Sequence, residues 1–454
     1  MVLFIFNFLI LPESFTIHKR MKLRKPQGTE DILPEQIGLW RFVEDTVKDV
    51  FGRYGYSEIR TPIMEFYSVF NRSAGETSDV VEKQMYLLQS RKEESDDKDA
   101  IVLRPELTAS VVRAYLENNL DKIKKFQKFY YIGPLFRYER PQKGRLRQFH
   151  SVGVEALGSD HPLLDVEVID LALRFFEALG IKDCRLSINS IGCPECRKTY
   201  TEALRNQLAK STADLCEDCQ SRFSKNILRI LDCKNRKCYE IGSQIEPLEK
   251  YLCPGCKEHF EKVKKGLDDN KISYNLNNHL VRGFDYYTRT VFEITHSGLG
   301  AQDTLCGGGR YDNLMAEMGG PATPAVGFGI GLERVIDVLK NVVKKEIGQL
   351  APAVYVVTTD QALVAQAFQM IRHLRSQSIW ADMDYEAKSV KAQFRSADKL
   401  KARFVVVLGP DELAKGMVKF KEMASGIEKE VKATEIVDEI NKICSGVISG
   451  SKKQ

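Results

Sequence analysis

KIKKFQKFYYIGPLFRYERPQKGRLRQFHSVGVE, residues 122–155, is the segment around which the predicted organisation of this chain is built. Between Lys122 and Arg147 it holds nine Lys or Arg residues and one acidic residue, a net charge of +8, whereas the whole protein has a net charge of +5. Two β-rich runs, FYYIGPLFRYE and RLRQFHSVGVE, flank PQKG at 141–144, which has the composition of a turn. The segment is therefore predicted to form a basic β-hairpin.

One face of the predicted hairpin combines positive charge with an aromatic ring. Successive strand side chains point to opposite faces, so the odd-numbered positions of the second run share a face. Those positions are Arg145, Arg147, Phe149, Ser151 and Glu155. Arg137 and Glu139 share a face in the first run in the same way. Guanidinium groups suit phosphate oxygens and an aromatic ring stacks on a purine, so this face predicts a nucleotide site.

A solvated basic hairpin is the alternative interpretation, because most isolated runs of charge lie on the surface. The alternation argues against it here, since Leu146, Val152 and Val154 fall on the opposite, apolar face. The phosphate-binding interpretation is therefore favoured on the residues alone.

Length and composition are those of a multidomain globular protein. The 454 residues predict about two to four domains, and 43% hydrophobic residues provide enough apolar side chains for a core. No run reaches the roughly 18 apolar residues that a membrane span needs. The positive balance permits contact with nucleic acid without requiring it.

The first twenty residues do not match a secretory signal. Val2 to Leu11 is apolar apart from Asn7, but no basic start or small-residue cleavage site accompanies it. We expect translation to begin at Met21 and residues 1–20 to be a non-native or disordered extension. A cytoplasmic location follows, and there the eleven cysteines are expected to be free thiols or metal ligands rather than disulfides.

Eight of the cysteines lie in a charged segment of different character, residues 193–272. They form three CxxC pairs and one CxxxxC pair: Cys193/Cys196, Cys216/Cys219, Cys233/Cys238 and Cys253/Cys256. These spacings are typical of zinc knuckles, and eight thiolates fill two tetrahedral sites. The alternative is an insert whose cysteines are only small, half-buried residues, and the sequence leaves both interpretations open.

Further stretches carry candidate ligands. Glu106 and Thr108 stand where the strand-like IVLRPELT meets a helix, so they either bind an ammonium group or cap that helix. The glycines of LCGGGRYD, residues 305–312, let backbone approach a ligand, but no Gly-Lys-Ser/Thr follows to make a P-loop. VGFGIGLERV, residues 326–335, is predicted to be a strand that runs into a helix, and its glycine spacing does not fit a dinucleotide fold.

The pattern changes after a predicted linker at residues 340–352. Strands such as VYVVTT and FVVVLG alternate with helical segments up to Cys444, which predicts a compact α/β domain of about 100 residues. From residue 351 on, the chain holds 16 Lys or Arg and 13 Asp or Glu, a net charge of +3. Residues 447–454 are expected to be a disordered tail.

Taken together, these stretches make the chain resemble the bacterial-type histidyl-tRNA synthetases, a family of class II aminoacyl-tRNA synthetases, from about Lys22 to Cys444. FRYERPQKGRLRQFH resembles motif 2 of that class, GFGIGLERV resembles motif 3, and the helix plus strand around Pro62 resembles motif 1, the dimer element. LVRGFDYYTRTVFE and GGGRYD resemble two stretches peculiar to the histidine enzymes. The resemblance implies ATP-dependent activation of L-histidine and its transfer to tRNA(His) by a cytoplasmic homodimer.

The resemblance also implies a fold. It is an α/β fold with an α+β catalytic core, in which an antiparallel sheet is flanked by helices. The core would comprise residues 21–192, with motifs 1 and 2, and residues 273–339, with the histidine stretches and motif 3. The cysteine-rich insert at 193–272 would interrupt it, and residues 353–446 would form an α/β anticodon-binding domain.

Roles at the nucleotide are implied by the same resemblance. The catalytic cations would be Arg137, Arg282 and Arg334. The ATP ligands would be Arg137, Glu139, Arg145, Phe149 and Arg334. Arg137 and Arg282 would lie at the α-phosphate and Arg334 at the γ-phosphate. Phe149 would stack on adenine, and Arg145 would face the outer phosphates.

Roles at the amino acid are implied as well. The histidine ligands would be Glu106, Thr108, Ser151, Glu155, Arg282, Tyr286, Tyr287 and Tyr311. Glu106 and Thr108 would bind the ammonium group. The imidazole ring would meet Glu155, Tyr287 and Tyr311.

Two residues depart from the family pattern. Ser151 stands where Gln is common, so we expect a weaker or water-bridged contact to the amino acid. Phe284 stands where Leu is usual and is expected to be a tolerated apolar exchange. In addition, Tyr286 and Tyr287 are adjacent in a predicted strand, so one of the two rings is expected to be structural.

The implied chemistry needs cations rather than a base, because an α-carboxyl group with a pKa near 3.5 is ionised at neutral pH. Mg²⁺ would bridge the outer phosphates of ATP. A non-catalytic histidine-binding regulator, like the regulatory subunit of ATP phosphoribosyltransferase, is the alternative. Such proteins typically lack the arginine of RGxDYYTRT, the insert and the C-terminal domain. A zinc-ribbon nucleic-acid-binding protein is a second alternative, which rests on the cysteines alone.

Overall fold

The computed structural model of the chain describes residues 23–74, 81, 84–89, 100–139, 145–344, 352–386 and 388–450. The chain divides into two compact units at residues 346–347. The predicted extension at 1–20 and the predicted hairpin turn at 141–144 lie outside the described residues.

The strands of the described residues, in chain order, are β1 (Ser57–Glu58), β2 (Met64–Phe66), β3 (Tyr86–Leu87), β4 (Ile101–Leu103), β5 (Gln127–Phe136), β6 (Gln148–Leu157), β7 (Arg185–Ser190), β8 (Asn275–Leu276), β9 (Thr288–Thr295), β10 (Thr304–Arg310), β11 (Ala325–Gly331), β12 (Val354–Thr358), β13 (Ala381–Met383), β14 (Phe404–Leu408), β15 (Met417–Glu422) and β16 (Glu428–Lys432). Their α-helices are Pro34–Arg53, Tyr67–Ala74, Thr108–Glu117, Leu120–Ile123, Pro162–Ala178, Pro194–Leu208, Glu217–Lys225, Arg236–Ser243, Pro254–Asp269, Leu314–Glu317, Leu332–Asn341, Val364–Ser376, Val390–Lys399, Pro410–Ala414 and Ile436–Gly450.

An eight-stranded sheet organises the first unit, in the order β1-β5-β6-β11-β10-β9-β7-β8. The neighbours from β5 to β7 pair antiparallel, and β1 and β8 are added parallel at the two edges. The predicted hairpin is confirmed, because β5 and β6 pair over their whole lengths. The predicted strand-to-helix junction is also confirmed, because β11 runs directly into the helix Leu332–Asn341.

Helices cover one face of this sheet. The helix Pro34–Arg53 buries a stripe of residues spaced three and four apart, which turns one side of the helix towards the core. Its Phe51 ring lies 5.9 Å from the rings of Tyr130 and Phe328 and 5.5 Å from that of Phe175, measured between centroids. Strand side chains alternate, so the glycines on either side of Phe328 belong to the opposite, open face.

The cysteine-rich segment folds mainly as helices between β7 and β8. Its last helix, Pro254–Asp269, packs against the helix Pro162–Ala178. The two backbones come close at Gly266, where a Cβ atom would lie 2.8 Å from Cγ2 of Val166. The segment is therefore packed into the first unit through a helix pair.

The second unit is an α/β structure with the sheet order β13-β12-β14-β15-β16. β12 pairs parallel with β13 and β14, and β14 to β16 pair antiparallel, which confirms the predicted fold class. The segment 388–403 contains the helix Val390–Lys399, and the helix Ile436–Gly450 continues into the predicted tail. Among the described helices, none is both long and apolar enough to cross a membrane.

One predicted element is wrong over most of its length. The strand predicted around Pro62 pairs with β5 only through Ser57 and Glu58. Pro62 has no N–H to donate, and the carbonyl groups of Thr61 and Pro62 instead accept hydrogen bonds from Nη1 of Arg104, at 2.7 and 3.2 Å. A buried guanidinium thus replaces strand pairing there.

A buried ion pair fixes the helix Pro162–Ala178 to the sheet. Arg310, at the end of β10, is fully buried. Its Nε and Nη2 donate to Oδ2 of Asp165 at 2.9 and 2.8 Å, and its Nη1 donates to Oδ1 of Asp312 at 3.1 Å. A buried charge without its partner is costly, so this pair joins the helix layer to the sheet.

We expect the substitution Asp165→Ala to lower the free energy of unfolding by about 3 to 5 kcal/mol, because it leaves the buried Arg310 guanidinium underpaired. Trp40 lies in the first unit and Trp380 in the second, and the chain contains two tryptophans. Urea unfolding followed by fluorescence in a Trp380→Phe background therefore reports on the first unit.

The matched control is Arg174→Ala, which removes exposed ion pairs with Asp170 and Glu177 on the same helix. It is expected to cost less than about 1 kcal/mol. A similar small loss in both variants would show that Asp165 does not compensate the Arg310 charge.

Candidate active site

A cavity of about 620 Å³ opens on the glycine-bearing face of the eight-stranded sheet. Its walls come from β5, β6, β10, β11, the segment 282–287 and the start of the helix Thr108–Glu117. The predicted site residues that line it are Glu106, Thr108, Arg137, Glu139, Arg145, Phe149, Ser151, Arg282, Tyr286, Tyr287 and Arg334. The fold therefore brings all of the predicted ATP ligands and most of the predicted histidine ligands into one cavity.

Glycine residues in β10 and β11 leave room for charged side chains on this face of the sheet. Gly307 of β10 pairs with Gly329 of β11, and Gly327 of β11 pairs with Glu155 of β6. A Cβ atom on Gly307 would lie 1.9 Å from Nη2 of Arg282, and one on Gly327 would lie 2.1 Å from Oε2 of Glu155. Both distances are far shorter than any non-bonded contact, so these positions require glycine as long as the two side chains keep their places.

Arg282 lies in a segment without helix or strand and is placed by its contacts. Its Nη1 donates to Oε1 of Glu293 at 3.4 Å, and its guanidinium carbon lies 6.0 Å from the ring centroid of Tyr287. The hydroxyl of Thr304 donates to the same Glu293 oxygen at 2.8 Å. Glu293 is thus held in place to orient Arg282 across the sheet.

Arg137 lies close to two aromatic rings of the cavity lining. Its Nε donates to the carbonyl oxygen of Pro105 at 2.9 Å, and its guanidinium carbon lies 5.3 Å from the ring of Phe149 and 5.8 Å from that of Phe284. Burial lowers the pKa of Arg137, and the carboxylate of Glu139 acts against that lowering. An anion at this position would relieve the cost of the buried charge.

Two further arginines complete the positive wall. Nη1 of Arg145 lies 3.3 Å from Oε2 of Glu139, and Nη1 of Arg334 donates to the carbonyl oxygen of Thr304 at 2.7 Å. Burial lowers the pKa of Arg334, and the charge of Arg145 lowers it further. Guanidinium groups stay protonated even so, and the wall is therefore a positive field suited to a polyanion.

Glu106 serves as a helix cap and also lines the cavity. Its carboxylate accepts hydrogen bonds from the backbone N–H groups of Thr108 at 2.6 Å and Ala109 at 2.7 Å. The capping interpretation of Glu106 is thereby confirmed, while ligand binding by the same carboxylate stays a prediction. Burial raises the pKa of Glu106, and the two backbone donors oppose the rise.

Glu155 is buried behind the cavity wall in a cage of hydroxyl groups. Thr108 and Tyr131 donate to its Oε1 at 2.7 and 3.1 Å, and Tyr311 donates to its Oε2. Burial raises the pKa of Glu155 to about 8 against the effect of these donors. Glu155 and Tyr311 lie outside the residues that line the cavity, whereas Thr108 and Tyr131 are among them.

The expectation that Tyr286 and Tyr287 lie on opposite faces is wrong. β9 begins at Thr288, so the two tyrosines precede the strand and do not alternate. Both line the cavity, with ring centroids 4.7 Å apart. The ring of Phe284 stacks on Tyr286 at 5.2 Å, which makes this segment a small aromatic cluster.

The expected face of the second hairpin run also needs a correction. Arg147 precedes β6 and lies outside the cavity lining, because the alternation begins only at Gln148. Its Nε donates to the carbonyl oxygen of Glu139 at 3.1 Å, and its guanidinium carbon lies 4.3 Å from the ring of Tyr138. Ser151 does line the cavity, and its predicted weak contact to the amino acid stays a prediction.

Sequence reasoning missed the carboxylate beside Arg334. Glu333 accepts a hydrogen bond from the backbone N–H of His150 at 2.8 Å and lies 2.9 Å from its Nδ1. The His150 ring in turn meets Trp40 edge to face at 5.0 Å. These contacts connect three elements at the cavity rim. The sequence signal that could have identified Glu333 is the polar Glu-Arg pair at the start of a helix that follows a buried strand.

The antiparallel sheet, its glycine-bearing face and the converging arginines define a class II aminoacyl-tRNA synthetase, the class that the sequence resemblance predicts. Comparison with known families agrees. The family described as histidyl-tRNA synthetase matches residues 28–335, and an anticodon binding domain matches residues 353–443.

Individual relatives match nearly the whole chain. It is 46% identical over 417 residues to the histidine–tRNA ligase of Desulforamulus reducens, covering 92% of this chain and 98% of that protein. It is 46% identical over 423 residues to the histidine–tRNA ligase of Moorella thermoacetica, covering 93% and 99%. The crystal structure of apo S. aureus histidyl-tRNA synthetase is similar with a TM-score of 0.76 and 33% identity, covering 92% of this chain and 99% of that one. The chain belongs to the histidyl-tRNA synthetase family.

The raised pKa of Glu155 predicts a pH effect on stability. Between about pH 4.3, where an unfolded glutamate titrates, and about pH 8, the folded state holds a proton that the unfolded state has lost. The carboxyl's contribution to the free energy of unfolding therefore falls as the pH rises through this window. We expect Glu155→Gln to gain stability relative to wild type between pH 5 and pH 8, measured by urea unfolding at each pH.

The exposed residue Glu177 provides the control, since Glu177→Gln is expected to leave the stability difference from wild type constant over the same range. A Glu155→Gln curve that runs parallel to wild type would mean that the buried carboxyl titrates in its ordinary range.

Proposed function

We propose that the protein is an ATP-dependent histidine–tRNA ligase that activates L-histidine to histidyl-adenylate and transfers it to tRNA(His). The observation that carries this proposal is the convergence of four arginines from separate segments onto one glycine-lined cavity that also reaches the Glu155 cage. A triphosphate and a small polar amino acid fit these two halves. The relatives named above are histidine–tRNA ligases, which agrees with this assignment.

In the first step, histidine's carboxylate attacks the α-phosphorus of ATP and pyrophosphate leaves. No general base is needed, because the attacking carboxylate is already ionised. We assign Arg137 and Arg282 to the α-phosphate, where they would hold the two reactants together and neutralise the charge that develops in the transition state. Both side chains line the same cavity, which suits that role.

We also propose roles for the remaining nucleotide ligands. Phe149 and Glu139 lie beside Arg137 and are assigned to adenine, with the ring of Phe149 stacking on the base. Arg145 and Arg334 are assigned to the outer phosphates, and their mutual repulsion would be relieved by the triphosphate. ATP would enter as its Mg²⁺ complex, and the metal would help to neutralise the charge of the phosphates beside Arg145 and Arg334.

Histidine is assigned to the part of the cavity near the Glu155 cage. Glu106 and Thr108 would hold the ammonium group, while Glu155, Tyr287 and Tyr311 would meet the imidazole. Since Glu155 lies behind the present cavity wall, binding requires the ring to displace the hydroxyl of Thr108 or Tyr131 from it. An amino acid without ring nitrogens would leave these buried polar groups unpaired, which provides discrimination without an editing step.

The second step uses the C-terminal unit. Residues 353–443 match an anticodon binding domain, so we assign tRNA recognition to this unit. The terminal ribose hydroxyl of the tRNA would attack the carbonyl carbon of the adenylate, and AMP would leave. The homodimer, the cytoplasmic location and the domain boundaries drawn from the sequence remain predictions. Zinc is assigned to the cysteines of the insert.

The alternative, a non-catalytic histidine-binding regulator, is less well supported. Arg282, the insert and the anticodon binding domain are all present in this chain, and the match to that domain spans residues 353–443. These are the features that regulators of this type typically lack.

Histidine-dependent exchange of pyrophosphate into ATP tests the proposal directly. We expect exchange with histidine and with none of the other amino acids, and a loss of about hundredfold or more in Arg282→Ala, since one such cation contributes about 3 kcal/mol to the transition state. Arg236→Ala, an exposed arginine of the insert, is the matched control and should exchange like wild type. Histidine binding without exchange by the wild-type protein would favour the regulator.

Gly307→Ala tests the position of Arg282 without removing its charge. The added methyl group would occupy the place of the guanidinium and push it off the sheet. Because the group that must move is the end of a flexible side chain, we expect unchanged thermal unfolding and a loss of exchange close to that of Arg282→Ala. Gly52→Ala, where a Cβ atom meets nothing within 4 Å, is the matched control. If Gly307→Ala supports pyrophosphate exchange at the wild-type rate, Arg282 does not act from the position next to Gly307.

A further inference from the structure

Eight cysteines of the insert converge into two groups of four. Within each group the Sγ atoms all lie within 4.8 Å of one another. The outer site consists of Cys193, Cys196, Cys253 and Cys256. The inner site consists of Cys216, Cys219, Cys233 and Cys238. The groups are nested along the chain, with the first CxxC pair joining the last.

The geometry of both groups fits a tetrahedral metal ion. Four thiolates at 2.3 Å from zinc lie about 3.8 Å from one another. Sγ of Cys193 lies 3.5 Å from Sγ of Cys196, and Sγ of Cys216 lies 3.8 Å from Sγ of Cys233. All eight are free thiols rather than disulfides.

Backbone donors support the sulfur atoms in each site. The N–H of Cys253 donates to Sγ of Cys196 at 3.1 Å, and the N–H of Cys216 donates to Sγ of Cys238 at 3.2 Å. Such donors stabilise thiolates that bind a metal ion. Cys193, Cys216 and Cys253 also stand directly before the first residue of a helix, where the helix dipole favours negative charge.

The insert contacts the segment that carries Arg282. Asn226, which follows the helix that begins after Cys216, donates from Nδ2 to Oδ1 of Asp285 at 2.7 Å. Arg197, next to Cys196, donates from Nη1 to the carbonyl oxygen of the same Asp285 at 2.8 Å. Asp285 is therefore held from both cysteine sites.

A second contact reaches the residue next to Arg282. A Cβ atom on Gly283 would lie 3.1 Å from Nη1 of Arg229, so the guanidinium lies against the backbone of this segment. Nη2 of Arg229 lies 3.4 Å from Oδ2 of Asp232, the neighbour of Cys233. The segment 282–287 has no helix or strand of its own, and these side chains supply its support.

We propose that both sites bind zinc and that the inner site, through Asn226 and Arg229, positions the segment 282–287 for histidine activation. The coupling to activation rests on the proposed function, whereas zinc binding does not. Four thiolates in tetrahedral reach select zinc over harder cations. Asn226 acts as a positioning residue, since it touches Asp285 rather than a substrate.

Metal analysis of the full-length protein, reconstituted with zinc chloride under reducing conditions and freed of excess metal, tests the sites. We expect two zinc ions per chain in wild type and one in each of Cys196→Ser and Cys219→Ser, because the two groups are separate. Cys184→Ser, a free thiol outside both groups, should retain two. Wild-type protein without zinc would overturn the proposal.

Asn226→Ala tests the coupling with all zinc ligands intact. We expect two zinc ions, faster amide hydrogen exchange across residues 280–287, and a kcat/KM for histidine-dependent exchange that falls by about tenfold to hundredfold. Asn270→Ala, which changes an exposed asparagine directly after the last insert helix, should change neither readout. Cys219→Ser should reproduce both effects of Asn226→Ala.

Hydrogen exchange separates the possible failures. If residues 280–287 exchange at the wild-type rate in both Asn226→Ala and Cys219→Ser, the inner site does not position this segment. If they exchange faster but no amino acid supports pyrophosphate exchange in wild type, the positioning stands and the proposed function fails.

Discussion

The absence of side chains at a few strand positions is the constraint on which the site depends. An antiparallel sheet presents a side chain at every second position, and this normally fills the space above it. At Gly307 and Gly329 no side chain fills that space and the backbone forms part of the cavity floor, while the space at Gly327 is occupied by the Glu155 carboxylate. Arg282 and Glu155 lie where Cβ atoms would otherwise stand, so the chemistry of the cavity is a consequence of glycine in β10 and β11.

The positive charge of the cavity is the second feature on which its function depends. Four guanidiniums face one cavity, and burial lowers the pKa of two of them, Arg137 and Arg334. Backbone carbonyl groups of Pro105 and Thr304 accept their hydrogen bonds and hold them in place. These acceptors fix the geometry of the two groups, and the positive field of the four guanidiniums is suited to phosphate oxygens. A site of this kind is preorganised for a polyanion, which is the condition for electrostatic catalysis.

The sequence was informative where local pattern decides structure. Strand alternation and turn composition predicted the β5–β6 hairpin, and the glycine-to-helix pattern predicted the junction after β11. Prediction from the sequence failed where contacts between distant segments determine the structure. Nothing local shows that Glu155 would be enclosed by hydroxyl groups from three other segments, or that Tyr286 and Tyr287 would precede their strand. Cysteine spacing suggested metal binding, but which CxxC pair joins which could be decided only by the fold.

The insert illustrates how a segment outside the sheet can shape the cavity. The residues from Arg282 to Tyr287 lie between β8 and β9 and belong to no helix or strand. The position of a charged residue in such a segment therefore depends on the side chains that contact it. Asp285 receives donors from two different helices of the insert, so its position depends on how those helices are held relative to each other. The nested cysteine groups join the starts of these helices to distant parts of the same segment. Support for Arg282 therefore comes from two directions: glycine beneath it fixes how close it lies to the sheet, and the insert fixes where along the sheet it lies.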